Sequence, residues 1–233
     1  MKHLKIVIFI LFLGGSAVAQ KITKPAAKPP VMKNLLDSFS YAAGYNVATN
    51  MMQQDIDKMN MDLFKKAMQD VFAKKQSLLT QEQVSMSLQF QLAEFKKGKL
   101  KKEKDKGAAY MAENKKKKGV ITLPNGIQYE VLKAAEPNAP GVKGEDTAFV
   151  HYVGTHIDGK EFDNSVKRGT PYKTPLKNVI KGWIEILQLM KVGDKWKVVI
   201  PSDLAYGDEG RGGQFAGSTL VFEMELMNVA PKQ

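Results

Sequence analysis

The sequence predicts an α+β fold: helices in the first half of the chain, then a curved antiparallel sheet wrapped on one short helix. Three observations lead there. No proline occurs from Val31 to Leu123 and glycines are few, so nothing interrupts long helices over that span. From Gly119 onward, short runs alternate apolar and polar residues between turns, the pattern of half-buried strands. The charge divides at the same place: residues from Gly119 hold 13 Lys and Arg against 14 Asp and Glu, so the net charge of +11 belongs to the upstream half.

The first 19 residues read as a signal peptide. Lys2 and Lys5 precede an apolar run from Ile6 to Leu13, and Ala17-Val18-Ala19 makes a small-residue cleavage site before Gln20. The apolar run is far shorter than the ~20 residues that cross a bilayer, so no membrane span is expected. The chain has no cysteine, which removes disulfides, thiol catalysis and Cys-based metal sites and leaves stability to packing. Residues 20–33 carry three prolines and little to bury, and read as a flexible Pro/Lys tether.

Residues 34–118 read as a helical region ending in a long basic linker helix. Leu35, Phe39, Ala42, Ala43 and Val47 repeat at helical spacing, as do Phe64, Met68 and Phe72, then Val84, Leu88, Leu92 and Phe95. Asn60 is placed to cap the second helix, and Thr80 with Gln83 forms a capping box for the third. The third is expected to run on through Leu100, Ala108 and Met111. Its apolar positions thin out after Phe95, so its far half is expected to be a solvent-exposed spacer. The short helices make too small a core to stand alone, and Met52, Met59, Met61, Met68, Met86 and Phe90 offer pliable apolar surface, so pairing with a second copy is expected. Lys96 to Lys118 holds 11 lysines against three acids. A solvated helix face explains that run; a cationic binding surface is the alternative and would show steep salt dependence. Nucleic acid is not expected as a partner, because 33 of the 35 basic residues are Lys and few aromatics interleave.

Residues 119–233 read as the second domain. Ile127, Tyr129 and Val131 suggest a strand. Trp196, Val198 and Ile200 alternate with Lys195, Lys197 and Val199, and Leu220, Phe222, Met224 and Leu226 with Val221, Glu223 and Glu225. Trp183, Ile186, Leu187 and Met190 mark one short helix, closed by Lys191-Val192-Gly193-Asp194.

Inventory excludes most chemistry. Beyond the signal only His151 and His156 remain, on opposite faces of a regular strand, so no metal pair is expected. Gly207 to Gly213 lacks the Lys-Ser/Thr of a phosphate cradle and reads as a mobile loop. No cofactor is implied. What remains is a set of aromatic and apolar residues beside glycines and turns: Val150-His151-Tyr152-Val153-Gly154, Gly159 to Ser165, Val179-Ile180-Lys181-Gly182-Trp183, Leu204-Ala205-Tyr206-Gly207 and Ser218 to Phe222. That composition suits a preformed pocket.

The order and spacing of these five segments resemble the FKBP-type peptidyl-prolyl cis/trans isomerases over roughly residues 119 to 233. With the helices upstream, the whole chain resembles their two-domain secreted subgroup, the macrophage infectivity potentiator and FkpA type. The resemblance implies the FKBP fold and an isomerase acting on proline-containing unfolded or exported polypeptides, with chaperone activity, in a periplasm or, alternatively, at the outer-membrane surface or outside the cell. It also implies a V-shaped homodimer interlocked through the upstream helices, and FK506- or rapamycin-type macrolides as ligands. In that likeness Trp183 floors the proline pocket, and Tyr152, Phe162, Val179, Ile180 and Phe222 are its walls. Asp163 and the Tyr206 hydroxyl are the polar contacts; none acts as nucleophile or general base. The chain departs from the family at Tyr172 and Thr174, where an aromatic pair is usual. It departs again at Gln214 to Gly217, where Phe215 is assigned the apolar wall. The alternative reading is a non-catalytic holdase or peptide-binding module on the same fold.

Overall fold

The computed structural model describes residues 31–54, 56–144, 146–212 and 214–232; the expected signal peptide and the part of the expected tether before Val31 lie outside them. Contacts divide the chain into a unit ending at Thr49 and a unit running from Asn50. The first contains most of helix α1, Leu35–Gln53, in which no residue is buried. Leu35, Leu36, Phe39 and Tyr45 all stand at least two-thirds exposed.

The second unit begins with α2, Met61–Phe72, and α3, Gln81–Asn114. Both start where their caps dictate. The Asn60 side chain accepts from the N–H groups of Asp62 and Leu63, and Thr80 and Gln83 form the reciprocal capping box. Each cap satisfies backbone donors that a helix start otherwise leaves orphaned.

Seven strands follow: β1 Val120–Thr122, β2 Gln128–Lys133, β3 Thr147–His156, β4 Glu161–Asn164, β5 Tyr172–Pro175, β6 Lys195–Ile200 and β7 Leu220–Ala230. They form one antiparallel sheet in the order β1-β2-β6-β7-β3-β4, with β5 also paired to β3. Strands β4 and β5 share one edge of β3, pairing with its second and first halves respectively. Between β5 and β6 lies α4, Lys181–Leu189, the only α-helix among the described residues after α3.

Alternation sets which face is dry. Trp196, Val198 and Ile200 of β6 and Leu220, Phe222, Met224 and Leu226 of β7 join Val150 and Tyr152 of β3 in one core, covered by Trp183, Ile186, Leu187 and Met190 from α4 and its C-cap. Fully burying a large apolar side chain contributes roughly 1.5–3 kcal/mol, so four of them pin α4 despite its nine residues. Gly182 brings the helix close: a Cβ there would meet Ile200 Cγ2 at 2.5 Å. On the wet face Lys195 pairs with Glu223 across strands at 2.6 Å. Val131 of β2 is 42% exposed and lies where the β2–β6 register shifts.

The expectation that the far half of α3 is a solvent-exposed spacer is wrong. Leu100, Lys104, Gly107, Met111 and Asn114, spaced three and four apart, form a docked face. Gly107 is buried, and a Cβ on it would lie 2.3 Å from Thr219 Oγ1. Leu100 lies against Gly217, where a Cβ would sit 2.7 Å from its Cδ1. Asn114 donates to Gln128 Oε1 at 2.9 Å, and Gln128 Nε2 donates to the Met111 carbonyl at 2.9 Å. Asn114 and Gln128 are both buried, and each satisfies the other. The docked face mixes Leu100 and Met111 with the small and polar Gly107, Lys104 and Asn114, so it carries no continuous apolar stripe.

Candidate active site

One end of the core opens into a cavity of about 660 Å³ lined by Tyr152, Phe162, Asp163, Arg168, Tyr172, Asn178, Val179, Ile180, Trp183, Tyr206, Arg211 and Phe222. Nine of the ten residues singled out from the sequence meet there. The tenth, Phe215, does not line the cavity; it stands behind the wall, its ring 5.0 Å from Phe162 and 5.2 Å from Tyr206.

Each side chain is placed by its element. Tyr152 points inward from β3 by alternation, Phe222 from β7, and Trp183 from the first turn of α4, with Val179 and the N-cap Ile180 just before it. The rings meet edge to face: Trp183 lies 4.9 Å from Tyr152 and 5.3 Å from Phe222, both at 85°. Such contacts add about 0.5–1.5 kcal/mol each beyond area burial, so the cup is rigid before any ligand arrives. Trp183 and Phe222 are 4% exposed, serving core and cavity together. Gly154 makes the space for Phe162: a Cβ would fall 2.7 Å from two of its ring carbons and 3.1 Å from Phe222. Tyr172 joins the rim, edge-on to Tyr152 at 6.0 Å, whereas Thr174 is buried with its hydroxyl donating to the Pro175 carbonyl.

One wall is polar. The Tyr152 hydroxyl donates to Asp163 Oδ2, and Arg168 pairs with Asp163 Oδ1, which also accepts from the Asn164 N–H at 2.8 Å. Arg168 also donates to the Tyr152 hydroxyl at 3.2 Å. Burial, then the hydrogen bond to Asp163, pushes the Tyr152 phenol up to about 12. Burial acts to raise Asp163 too, but the Tyr152 hydroxyl and the Arg168 guanidinium outweigh it and hold the carboxyl below its usual range. Asp163 is thus fully engaged in bracing Tyr152. Behind it, buried Ser165 accepts the Tyr152 N–H at 2.7 Å and fixes that strand position.

Sequence reasoning missed Arg168, Arg211 and Asn178 as lining residues and Ser165 and Gly154 as supports. Arginine's rarity was the available signal: the chain has two, Arg168 and Arg211, and both face this cavity.

A cup of fixed rings with few polar groups cannot cut or join bonds by itself. It can strip water from a planar amide and hold a twisted one, the requirement for rotating an Xaa-Pro bond.

The comparisons agree. Residues 138–227 match the family described as FKBP-type peptidyl-prolyl cis-trans isomerase, and residues 36–131 the domain amino-terminal to it. The chain is 41% identical over 202 residues to outer membrane protein MIP of Legionella longbeachae, covering 83% of this chain and 85% of that one. It is 39% identical over 229 residues to the FKBP-type peptidyl-prolyl cis-trans isomerase FkpA of Escherichia coli K12, covering 93% and 84%. The crystal structure of FkpA from Escherichia coli superposes with a TM-score of 0.63 at 39% identity, over 86% of this chain and 99% of that one. With this identity over most of both chains and the fold in common, the chain belongs to the FKBP-type peptidyl-prolyl cis-trans isomerases.

Proposed function

We propose that the aromatic cavity is where this isomerase binds and twists the prolyl amide. The carrying observation is the convergence of Tyr152, Phe162, Trp183, Tyr206 and Phe222 from five separate segments on one cavity. The barrier to be lowered is the ~18–20 kcal/mol loss of amide resonance, and a dry cup that fits the twisted form better than the planar one lowers it without a proton acceptor. Proline sits over Trp183. Tyr152, Phe162, Val179, Ile180, Tyr172 and Phe222 wall it in, and Phe215 holds Phe162 and Tyr206 in place from behind. The Tyr206 hydroxyl orients a substrate carbonyl, while Asp163 keeps Tyr152 fixed.

The direct test is isomerisation of a Leu-Pro tetrapeptide by the chain from Gln20, beside Tyr206→Phe and Asp163→Ala. A lost hydrogen bond of ~1 kcal/mol corresponds to about a fivefold fall in kcat/KM for Tyr206→Phe. Full activity in both folded variants would move the chemistry elsewhere.

The same reading extends to the whole chain. Residues 1–19 export it to the periplasm, residues 34–118 pair two copies, and residues 119–233 carry the isomerase. Exposed Phe39, Tyr45, Phe72, Leu88 and Phe90 on α1, α2 and α3 supply the apolar surface a second copy would cover. Proline-containing exported chains are the substrates, held between the two arms, and FK506-type macrolides fit the same cavity. Among the described residues no helix is long and apolar enough to cross a membrane. Sedimentation equilibrium decides the pairing: a single species at the monomer mass at micromolar concentration would sink it.

A further inference from the structure

We infer that Arg211 makes the cavity discriminate by charge, favouring proline peptides with an acidic over a basic side chain beside the proline. This rests on the cavity being the isomerisation site and adds a charge selectivity to that site.

Three charged residues line the cavity: Asp163, Arg168 and Arg211. Asp163 and Arg168 are paired with each other, so their charges cancel locally. The Arg211 guanidinium lies against Tyr206, 6.0 Å from its ring centroid and placed to donate to its hydroxyl, and among the described residues no carboxylate lies within ion-pair distance of it. Asp208, on the same loop, pairs with Lys104 of α3 at 2.5 Å. The cavity wall therefore carries, at Arg211, a positive charge with no ion-pair partner among the described residues.

The position of that charge is built. Arg211 and Gln214 exchange backbone hydrogen bonds, 2.7 Å and 3.0 Å, that close a tight turn. Gly210 and Gly212 flank Arg211 at φ of 69° and 57°, and a Cβ on Gly210 would strike the Gln214 carbonyl oxygen at 2.1 Å. These hydrogen bonds and the positive-φ glycine at 210 set the backbone from which Arg211 reaches the cavity. The residue type fits too. Elsewhere the chain solvates itself with 33 lysines, whereas the planar fork of arginine matches a carboxylate bidentately.

The test uses the chain from Gln20 and two tetrapeptide series, with Glu, Leu or Lys either before or after the proline. The expected result is that, in at least one series, kcat/KM for the Glu peptide exceeds that for the Lys peptide by about three- to tenfold at low salt. The ratio should shrink as salt rises, because an exposed charge is screened over ~10 Å at 0.1 M. Arg211→Gln should bring the ratio to about one, and Arg211→Lys should keep part of it. Equal rates for Glu and Lys peptides in both series would overturn the inference. So would a ratio that persists in Arg211→Gln while all rates fall together, since Arg211 would then only position the Tyr206 ring. The Leu peptides separate this from the site reading: turnover of Leu-Pro that survives Tyr206→Phe and Asp163→Ala unchanged rejects the site itself, whatever the charge ratio.

Discussion

Tyr152 and Asp163 titrate far from neutrality in opposite directions, the phenol at about 12 and the carboxyl below its ordinary range. The raised phenol contributes stability below its unfolded value of ~10 that is lost as pH rises toward 12. The lowered carboxyl contributes stability above its unfolded value of ~3.9 that is lost as pH falls through the folded one. Between those limits the Tyr152–Asp163–Arg168 wall keeps one protonation state. Rotation of an amide needs no proton transfer, so kcat/KM should be flat from about pH 5 to 9. An acid limb within that range, abolished by Asp163→Asn, would make Asp163 a titrating participant in turnover. The wall also shows what a sequence hides. Asp163 and Tyr206 were legible as polar members of the site, but that Asp163 spends both oxygens on Tyr152, Arg168 and the Asn164 N–H depends on a side chain five residues away folding back.

Among the elements, those governed by local rules were readable. Asn60, Thr80 and Gln83 cap helices through neighbours two or three residues off, and the alternation of Leu220 to Leu226 needs only a strand and a dry side. The docking of α3 was not readable, because periodicity detects apolar stripes and here Leu100 and Met111 are separated by Lys104 and Gly107 and followed by Asn114. The two glycines inside that helix make the difference measurable. Nothing lies within 4 Å of the place a methyl group on Gly98 would take, so Gly98→Ala should stabilise by up to ~1 kcal/mol through helix propensity. Gly107→Ala gains the same propensity but drives its methyl into Thr219, and should lose about 1–3 kcal/mol from overpacking. Urea unfolding of the two variants reads the contrast directly; stabilisation by both would show that α3 does not seat on Thr219.

For the molecule as a whole, the docking ties the second half of α3, upstream of Gly119, to the sheet. Cutting at residue 119 removes Leu100, Gly107, Met111 and Asn114, strips the hydrogen-bond partners from Gln128 and uncovers Thr219. A fragment of residues 99–233 should therefore be more stable than one of residues 119–233 by about 1–3 kcal/mol, since a buried polar group that loses its partner costs that much. Equal urea midpoints would make α3 an ornament on the domain. The continuity of α3 has one more consequence. Each residue turns a helix by about 100°, so the number of residues between Phe95 and Gly107 sets the angle between the exposed stripe of Met86 and Phe90 and the face seated on the sheet. One residue added near Gly98 swings that stripe by about 100°, whereas seven added return it to within ~20° of its start. The length of the helix is thus a dial, and residue count alone decides which way the cavity looks from whatever the stripe is fastened to.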